Sequence, residues 1–309
     1  MEKKPYLLID NRCIYNAVLS NAIVNELEDI NPDAVCGLIK GIGDVFRASV
    51  IIVCGNGGFP KWLFWIIAVL RKPLVLYYVS PDGVVFKKWG RRAKWVVPSR
   101  TLPGYDYYPS PVLLGDLITG RQIDRIWRRE RMLSKRGSIG VLGLTLAGDH
   151  KQKLLEALDL LIEDLDLNVV FIPIFSEKMG KDIFSHIKYS GNVKFIRSDK
   201  YSARELLGII SKMDIIITSD RRGAMCALAG NRPPLGVTVD DELDDVIGRI
   251  TEEEIIFDMD KLAVDELYSK IKICWVHRDS IVEQMGEWLN ELKKQGKAGI
   301  KCLYRNYFA

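Results

Sequence analysis

The sequence predicts an α/β chain made of two Rossmann-like, doubly wound domains, and three observations carry that expectation. Apolar runs of strand length alternate with amphipathic stretches of helix length along most of the chain, the order expected of parallel sheets with helical crossovers. Ile215–Ile217 is a continuous β-branched run without polar alternation, typical of a strand buried on both faces of such a sheet. At 309 residues, the chain exceeds what one hydrophobic core usually organises.

In the first half, strands are expected at Tyr6–Ile9, Ala34–Ile39, Val50–Cys54, Leu74–Val79 and Trp95–Val97, with helices at Val18–Leu27 and Pro60–Leu70. Thr101–Pro111, TLPGYDYYPSP, is dense in Pro, Gly and Tyr and reads as loop. Arg121–Arg136 reads as a basic connecting helix. The second half restarts with strands at Ile139–Leu146, Asn168–Pro173, Val193–Ile196 and Leu235–Val239, and helices at Lys151–Asp164 and Gly180–Tyr189. Ser202-x-x-Glu205 forms a capping box ahead of Leu206, Leu207, Ile210 and Met213 at helical spacing, and Asp214 ends that helix. Residues 265–295 read as closing helices. The expected organisation is an N-terminal domain over 1–120, a linker helix over 121–137 and a C-terminal domain over 138–309, a GT-B-like arrangement.

With 48% hydrophobic and 27% charged residues the composition is that of an ordinary soluble globular protein. A net charge of +4 is too small to imply nucleic acid, and no nucleic-acid partner is expected. Local patches matter more: residues 87–100 carry six basic residues, among them Lys87, Arg91, Arg92 and Arg100, and no acid. Such segments serve as solvated faces or as contacts for phosphate groups or a membrane surface. Six scattered cysteines lack metal-type spacing and read as reduced core thiols; neither metal nor cofactor is implied. The amino terminus enters a strand directly and Phe59–Val79 is broken by Arg71, Lys72 and Pro73, so a cytoplasmic location is expected.

The candidate site lies where Thr218–Gly223 follow the buried strand, since ligands of open α/β sheets sit beyond the carboxyl ends of strands. Ser219, Arg221, Arg222 and Gly223 enter a helix whose amino terminus favours anions, and two guanidinium groups suit a carboxylate or phosphate. The alternative is that Arg221 faces solvent and Asp220 is an N-cap. Gly55, Gly57 and Gly58 follow a strand and precede a helix; they read equally as an anion-binding loop or a tight turn. Of three histidines, His150, beside Asp149, is the candidate proton carrier, while His186 and His277 read as structural.

The stretch from Ile139 onward, with Phe171-Ile172-Pro173, SARELLGIISKMD and Ser219–Ala229, resembles the carboxyl-terminal domain of polysaccharide pyruvyl transferases. In that family an Asp at a helix end precedes a short apolar strand, Ser-Arg-x-His-Gly and an Ala-rich helix. Asp214, Ser219, Gly223, Ala227 and Leu228 fall into this frame, whereas Asp220 occupies the family arginine position and Arg222 the histidine. Asn16 stands where the family has an Asn-x-Gly-Asp loop, and Gly55–Gly58 stand for its glycine-rich loop. The resemblance implies a GT-B-like fold and transfer of a pyruvyl group from phosphoenolpyruvate to a cell-envelope polysaccharide or its precursor. Arginine stays charged and cannot protonate an enol carbon, so Arg222 would anchor the donor while His150, Asp149 or Asp220 supplies acid–base chemistry. The rival expectations are a GT-B glycosyltransferase taking a nucleotide-sugar donor and a lipid-linked glycan acceptor, and a non-catalytic relative that binds an anionic glycan precursor.

Overall fold

The structure, a computed structural model, describes residues 4–9, 14–31, 37–39, 42–54, 61–79, 84–98, 103, 109–115, 117–132, 137–173, 186–197, 200–239, 243–248 and 250–307. It divides into two compact units, Met1–Gly115 with Glu291–Ala309, and Asp116–Asn290.

The first unit is built on a parallel sheet of β1 (Lys4–Ile9), β2 (Gly37–Leu38), β3 (Ala48–Cys54), β4 (Leu74–Val79) and β5 (Trp95–Pro98), in the order β2-β1-β3-β4-β5. Its helices are α1 (Ile14–Ile30), α2 (Ile42–Arg47), α3 (Lys61–Val69) and α4 (Val84–Trp89). β3 is VIIV at its centre with every residue from Val50 to Cys54 buried, so burial on both faces, rather than alternation, dictates its sequence. Arg71 takes a left-handed φ of 49° and Pro73 follows, which ends α3 and feeds β4.

The second unit carries a six-stranded parallel sheet of β6 (Ser138–Leu142), β7 (Asn168–Ile172), β8 (Val193–Phe195), β9 (Ile215–Thr218), β10 (Pro234–Thr238) and β11 (Ile256–Asp258), ordered β11-β10-β9-β6-β7-β8. Its helices are α5 (Arg121–Arg129), α6 (Gly148–Leu165), α7 (Ala203–Ile210), α8 (Arg221–Ala229), α9 (Asp244–Ile247) and α10 (Val264–Val276), and α11 (Arg278–Tyr307) begins in it. The capping box is present as expected: Ser202 Oγ accepts from Glu205 N, and Ser202 N donates to the Glu205 carboxylate at 2.8 Å. Ile215, Ile216 and Ile217 are wholly buried, each contributing about 1.5–3 kcal/mol of transfer free energy to the core.

Four expectations change. The strand expected to run to Leu146 stops at Leu142, because Gly143 turns the chain with φ +58° despite the apolar Leu144 and Leu146 beyond it. The basic helix expected to reach Arg136 is helical to Arg129, after which Arg131 takes φ 57°; residues 133–136 lie outside those described. It falls within the second unit. His186 stands in a turn, not a helix, while most of the helix expected at Gly180–Tyr189 lies outside the described residues. The closing helices are present as α10 and α11, but α11 runs on past residue 295 and its last residues return to the first unit, where Lys297 Nζ pairs with Glu26 at 3.0 Å and Asn31 Nδ2 donates to Tyr304 Oη at 3.0 Å.

Candidate functional site

β6 and β9 are neighbours at the middle of the second sheet, and the chain leaves them in opposite directions, β6 toward β7 and β9 toward β10. Their carboxyl ends therefore form the topological switch point at which open α/β sheets hold ligands. Two segments meet there. One is the loop 143–147, bracketed by Gly143 (φ +58°) and Gly148 (φ +53°), which leads into α6; the other is Ser219–Asp220, which leads into α8.

Ser219 stitches the two together. Its hydroxyl accepts from Thr145 N at 2.7 Å, lies 2.9 Å from Thr145 Oγ1 and donates to Gly143 O at 3.3 Å. Thr218 fixes the turn below it: the buried hydroxyl donates to Asp220 O at 3.0 Å and accepts from Asp220 N at 3.1 Å. Such side-chain bonds replace the ladder where the strand ends.

Asp220 is the N-cap of α8, as the second of the two sequence readings has it, and its carboxylate is nearly buried. Oδ1 accepts from Arg222 N at 2.8 Å and from Arg222 Nε at 3.1 Å, and Oδ2 accepts from Arg222 Nη2 at 3.0 Å. The Arg222 guanidinium is thus held in a bidentate fork at the rim, two-fifths exposed. Arg221 opens the same helix, with Nε buried. Gly223 is buried, and its role is close packing: a Cβ there would stand 2.2 Å from Thr218 Oγ1 and 3.1 Å from Leu142 O. Only glycine lets the first turn of α8 lie directly on β9 and β6.

His150 and Asp149 lie in the first turn of α6. Asp149 is exposed, and His150 Nε2 is 2.9 Å from Asp260 Oδ1 in the loop after β11. Lys153 Nζ donates to Met259 O at 2.6 Å, so α6 holds that loop at two points one turn apart. His277 is 3.1 Å from Glu253 and caps α10, which matches its structural reading. Gly55, Gly57, Gly58 and Arg100 lie outside the described residues, and Asn16 is buried in α1. Among the described residues, no group of three or more His, Cys, Asp or Glu is placed to hold a metal ion, and no helix is long and apolar enough to cross a membrane.

Sequence reasoning missed the loop 143–147 and with it Thr145. The signal was there in Gly143-x-x-x-x-Gly148 between a strand and a helix. Leu144 and Leu146 masked it by extending the strand pattern.

No family model and no curated protein matches this sequence. Solved structures do match it in fold. The UDP-GlcNAc 2-epimerase of Neisseria meningitidis, bound to UDP-GlcNAc, superposes with a TM-score of 0.63 at 12% identity, covering 98% of this chain and 100% of that one. The Anabaena protein HepE in complex with UDP gives 0.59 at 11% identity over 98% and 100%. ADP-heptose lipopolysaccharide heptosyltransferase II of Escherichia coli gives 0.58 at 13% identity over 89% and 99%. At these identities the likeness is one of fold: two Rossmann-like units of the GT-B class.

Proposed function

We propose that the chain binds a nucleotide-sugar donor at the switch point of its second sheet and transfers the sugar to a glycan or lipid-linked glycan of the cell envelope. The observation that carries this reading is the juxtaposition of the Arg221–Arg222 entry into α8 with the glycine-bracketed entry into α6. A donor diphosphate needs N–H groups and guanidinium charge at a helix amino terminus, and both are at hand. As the bond to the sugar breaks, negative charge grows on the diphosphate; a guanidinium at the rim stabilises that charge more than the ground state. The neighbouring folds crystallised with UDP or UDP-GlcNAc support a nucleotide ligand. The acceptor hydroxyl must lose a proton, and His150, oriented by Asp260, is the candidate base, with Asp149 beside it and Asp220, nearly buried against Arg222, as the further carboxylate candidate.

The second reading, pyruvyl transfer from phosphoenolpyruvate, rests on the Ser219–Leu228 sequence pattern and on Arg222 as carboxylate anchor. It lacks an acid at the position of Arg222. Peripheral contact with the inner face of a membrane, through basic segments, belongs to the first reading because a lipid-linked acceptor lives there.

Thermal-shift measurements with UDP, ADP, UDP-GlcNAc and phosphoenolpyruvate decide between these. A nucleotide at 100 times its Kd stabilises by about 2.7 kcal/mol. A shift with a nucleotide, weakened by Arg222→Ala, is the expected result. A shift with phosphoenolpyruvate alone, together with phosphate release in the presence of glycan, replaces the first reading by the second. No shift with any of them defeats both.

A further inference from the structure

One helical layer of the first unit carries a surface of a different kind. Val45, Ile67 and Val85, one from each of α2, α3 and α4, share a core cluster with Val53, Leu76 and Val96 of three adjacent strands, so all three helices cover one side of the sheet. With those residues turned inward, the outward side of the same helices shows Phe46, Trp65 and Val69, which are 56%, 67% and 58% exposed. Trp65 and Val69 stand one turn apart on α3, a helix without a charged residue after Lys61. Lys72 Nζ, just beyond α3, donates to Phe46 O at 3.0 Å, which brings Phe46 alongside the end of that helix. Single exposed apolar residues are ordinary, but half of the large exposed hydrophobics of the described residues on one helical layer is a patch.

The charge on these helices is predominantly positive. Arg71, Lys87, Arg91 and Arg92 are all exposed, and Asp44 is the only acid in α2, α3, α4 and the turn that follows. Arg92 lies over the ring of Trp89 at 5.3 Å, which pins its cation at the end of α4.

We propose that this face docks onto an anionic phospholipid bilayer, with Trp65, Phe46 and Val69 entering the headgroup boundary and the four cations meeting lipid phosphates. It deepens the membrane contact of the proposed function by naming the surface and the lipid charge. A tryptophan beside aliphatic side chains is suited to the interfacial layer of a bilayer. The cations add attraction to acidic lipid. A second copy of the chain fits poorly, since isologous pairing would bring cations against cations.

The test is co-sedimentation of the full chain with vesicles of phosphatidylcholine alone and of phosphatidylcholine mixed with phosphatidylglycerol. The expected result is pelleting with the anionic vesicles that falls steeply with salt. The pair Trp65→Ser and Val69→Ser, and separately Arg91→Glu with Arg92→Glu, each lower partitioning by about tenfold or more. Both variants keep the parent's melting temperature and its shift with UDP. No pelleting with anionic vesicles, or pelleting that neither pair of substitutions alters, overturns the proposal. A concentration-dependent dimer that Trp65→Ser abolishes, without vesicle binding, overturns it in favour of a protein interface. Because UDP binding is read on the same samples, a protein that takes up UDP but ignores vesicles defeats this surface alone. One that pellets but ignores UDP defeats the donor reading and leaves the surface standing.

Discussion

The two ends of β9 each carry an aspartate, and they are put to opposite uses. Before the strand, Asp214 holds distant chain: Oδ2 accepts from Ser138 N at 2.7 Å, 76 positions away, and Oδ1 is 3.4 Å from Arg278 Nε at the start of α11. Arg278 in turn stacks on Trp275 with its guanidinium carbon 4.5 Å from the ring centroid. After the strand, Asp220 grips Arg222, two residues on. A carboxylate whose partners come from two distant elements is a clamp on tertiary structure. One whose partner lies in its own turn can release that guanidinium while the fold stays in place. The same sheet thus keeps its rigidity at the amino end and its adaptability at the carboxyl end.

Substitution separates the two. Asp214→Ala strands the N–H of Ser138, a buried residue, and breaks the contact to Arg278; a loss of about 2–3 kcal/mol in urea unfolding is expected, with nucleotide affinity unchanged. Equal losses of stability and affinity would erase the distinction between the ends. Gly223→Ala forces a methyl into Thr218 Oγ1 and should cost about 1–3 kcal/mol and misplace the first turn of α8, so both the melting temperature and the UDP shift fall. Asp220→Ala removes a cap worth about 1 kcal/mol yet frees the Arg222 guanidinium, so differential scanning should find a lower melting temperature while calorimetry finds anion affinity held or raised. A collapse of anion binding in that variant would mean that Asp220 positions Arg222 for the ligand instead of restraining it.

The smallest effect concerns pH at the amino end. Cys274, next to Trp275, is buried, and burial followed by the nearby Glu253 and Glu254 carboxylates pushes its thiol up to about 12. The folded chain therefore keeps this proton where the unfolded chain, with an ordinary thiol near 9, has lost it. Stability from this group is intact below about pH 9 and drains away between there and about 12. Urea midpoints from pH 8 to 11 should fall less steeply for Cys274→Ala than for the parent. Site-resolved alkylation at neutral pH should reach the partly exposed Cys302 well before Cys274.

The sequence was most readable where one physical demand acts alone. Ile215–Ile217 had to be a buried strand because nothing else tolerates three β-branched residues between Asp214 and a polar turn, and Ser202 with Glu205 announced a helix start by chemistry that works at short range. It was less readable where two demands overlap. Leu144 and Leu146 obey strand periodicity, yet Gly143 has already left the sheet, so the loop that meets Ser219 was hidden inside an apparent strand. Asp220 left two readings open because an N-cap and a ligand contact use the same residue type at the same place. His150 was found as a candidate, but its partner Asp260, 110 positions along, belongs to a different crossover and no local pattern links them.

α11 is one uninterrupted helix from Arg278 to Tyr307, yet the unit boundary falls within it, at Asn290. Its final turns supply Lys297 and Tyr304 to α1, and Gly296 approaches Pro109 and Leu114. The polypeptide therefore visits the first unit twice, at its beginning and near residue 300. Expressing 1–115 alone would yield a half missing its own cover, with the α1 side stripped and adhesive. A faithful single-lobe preparation needs residues 291–307 fused back on through a short artificial bridge.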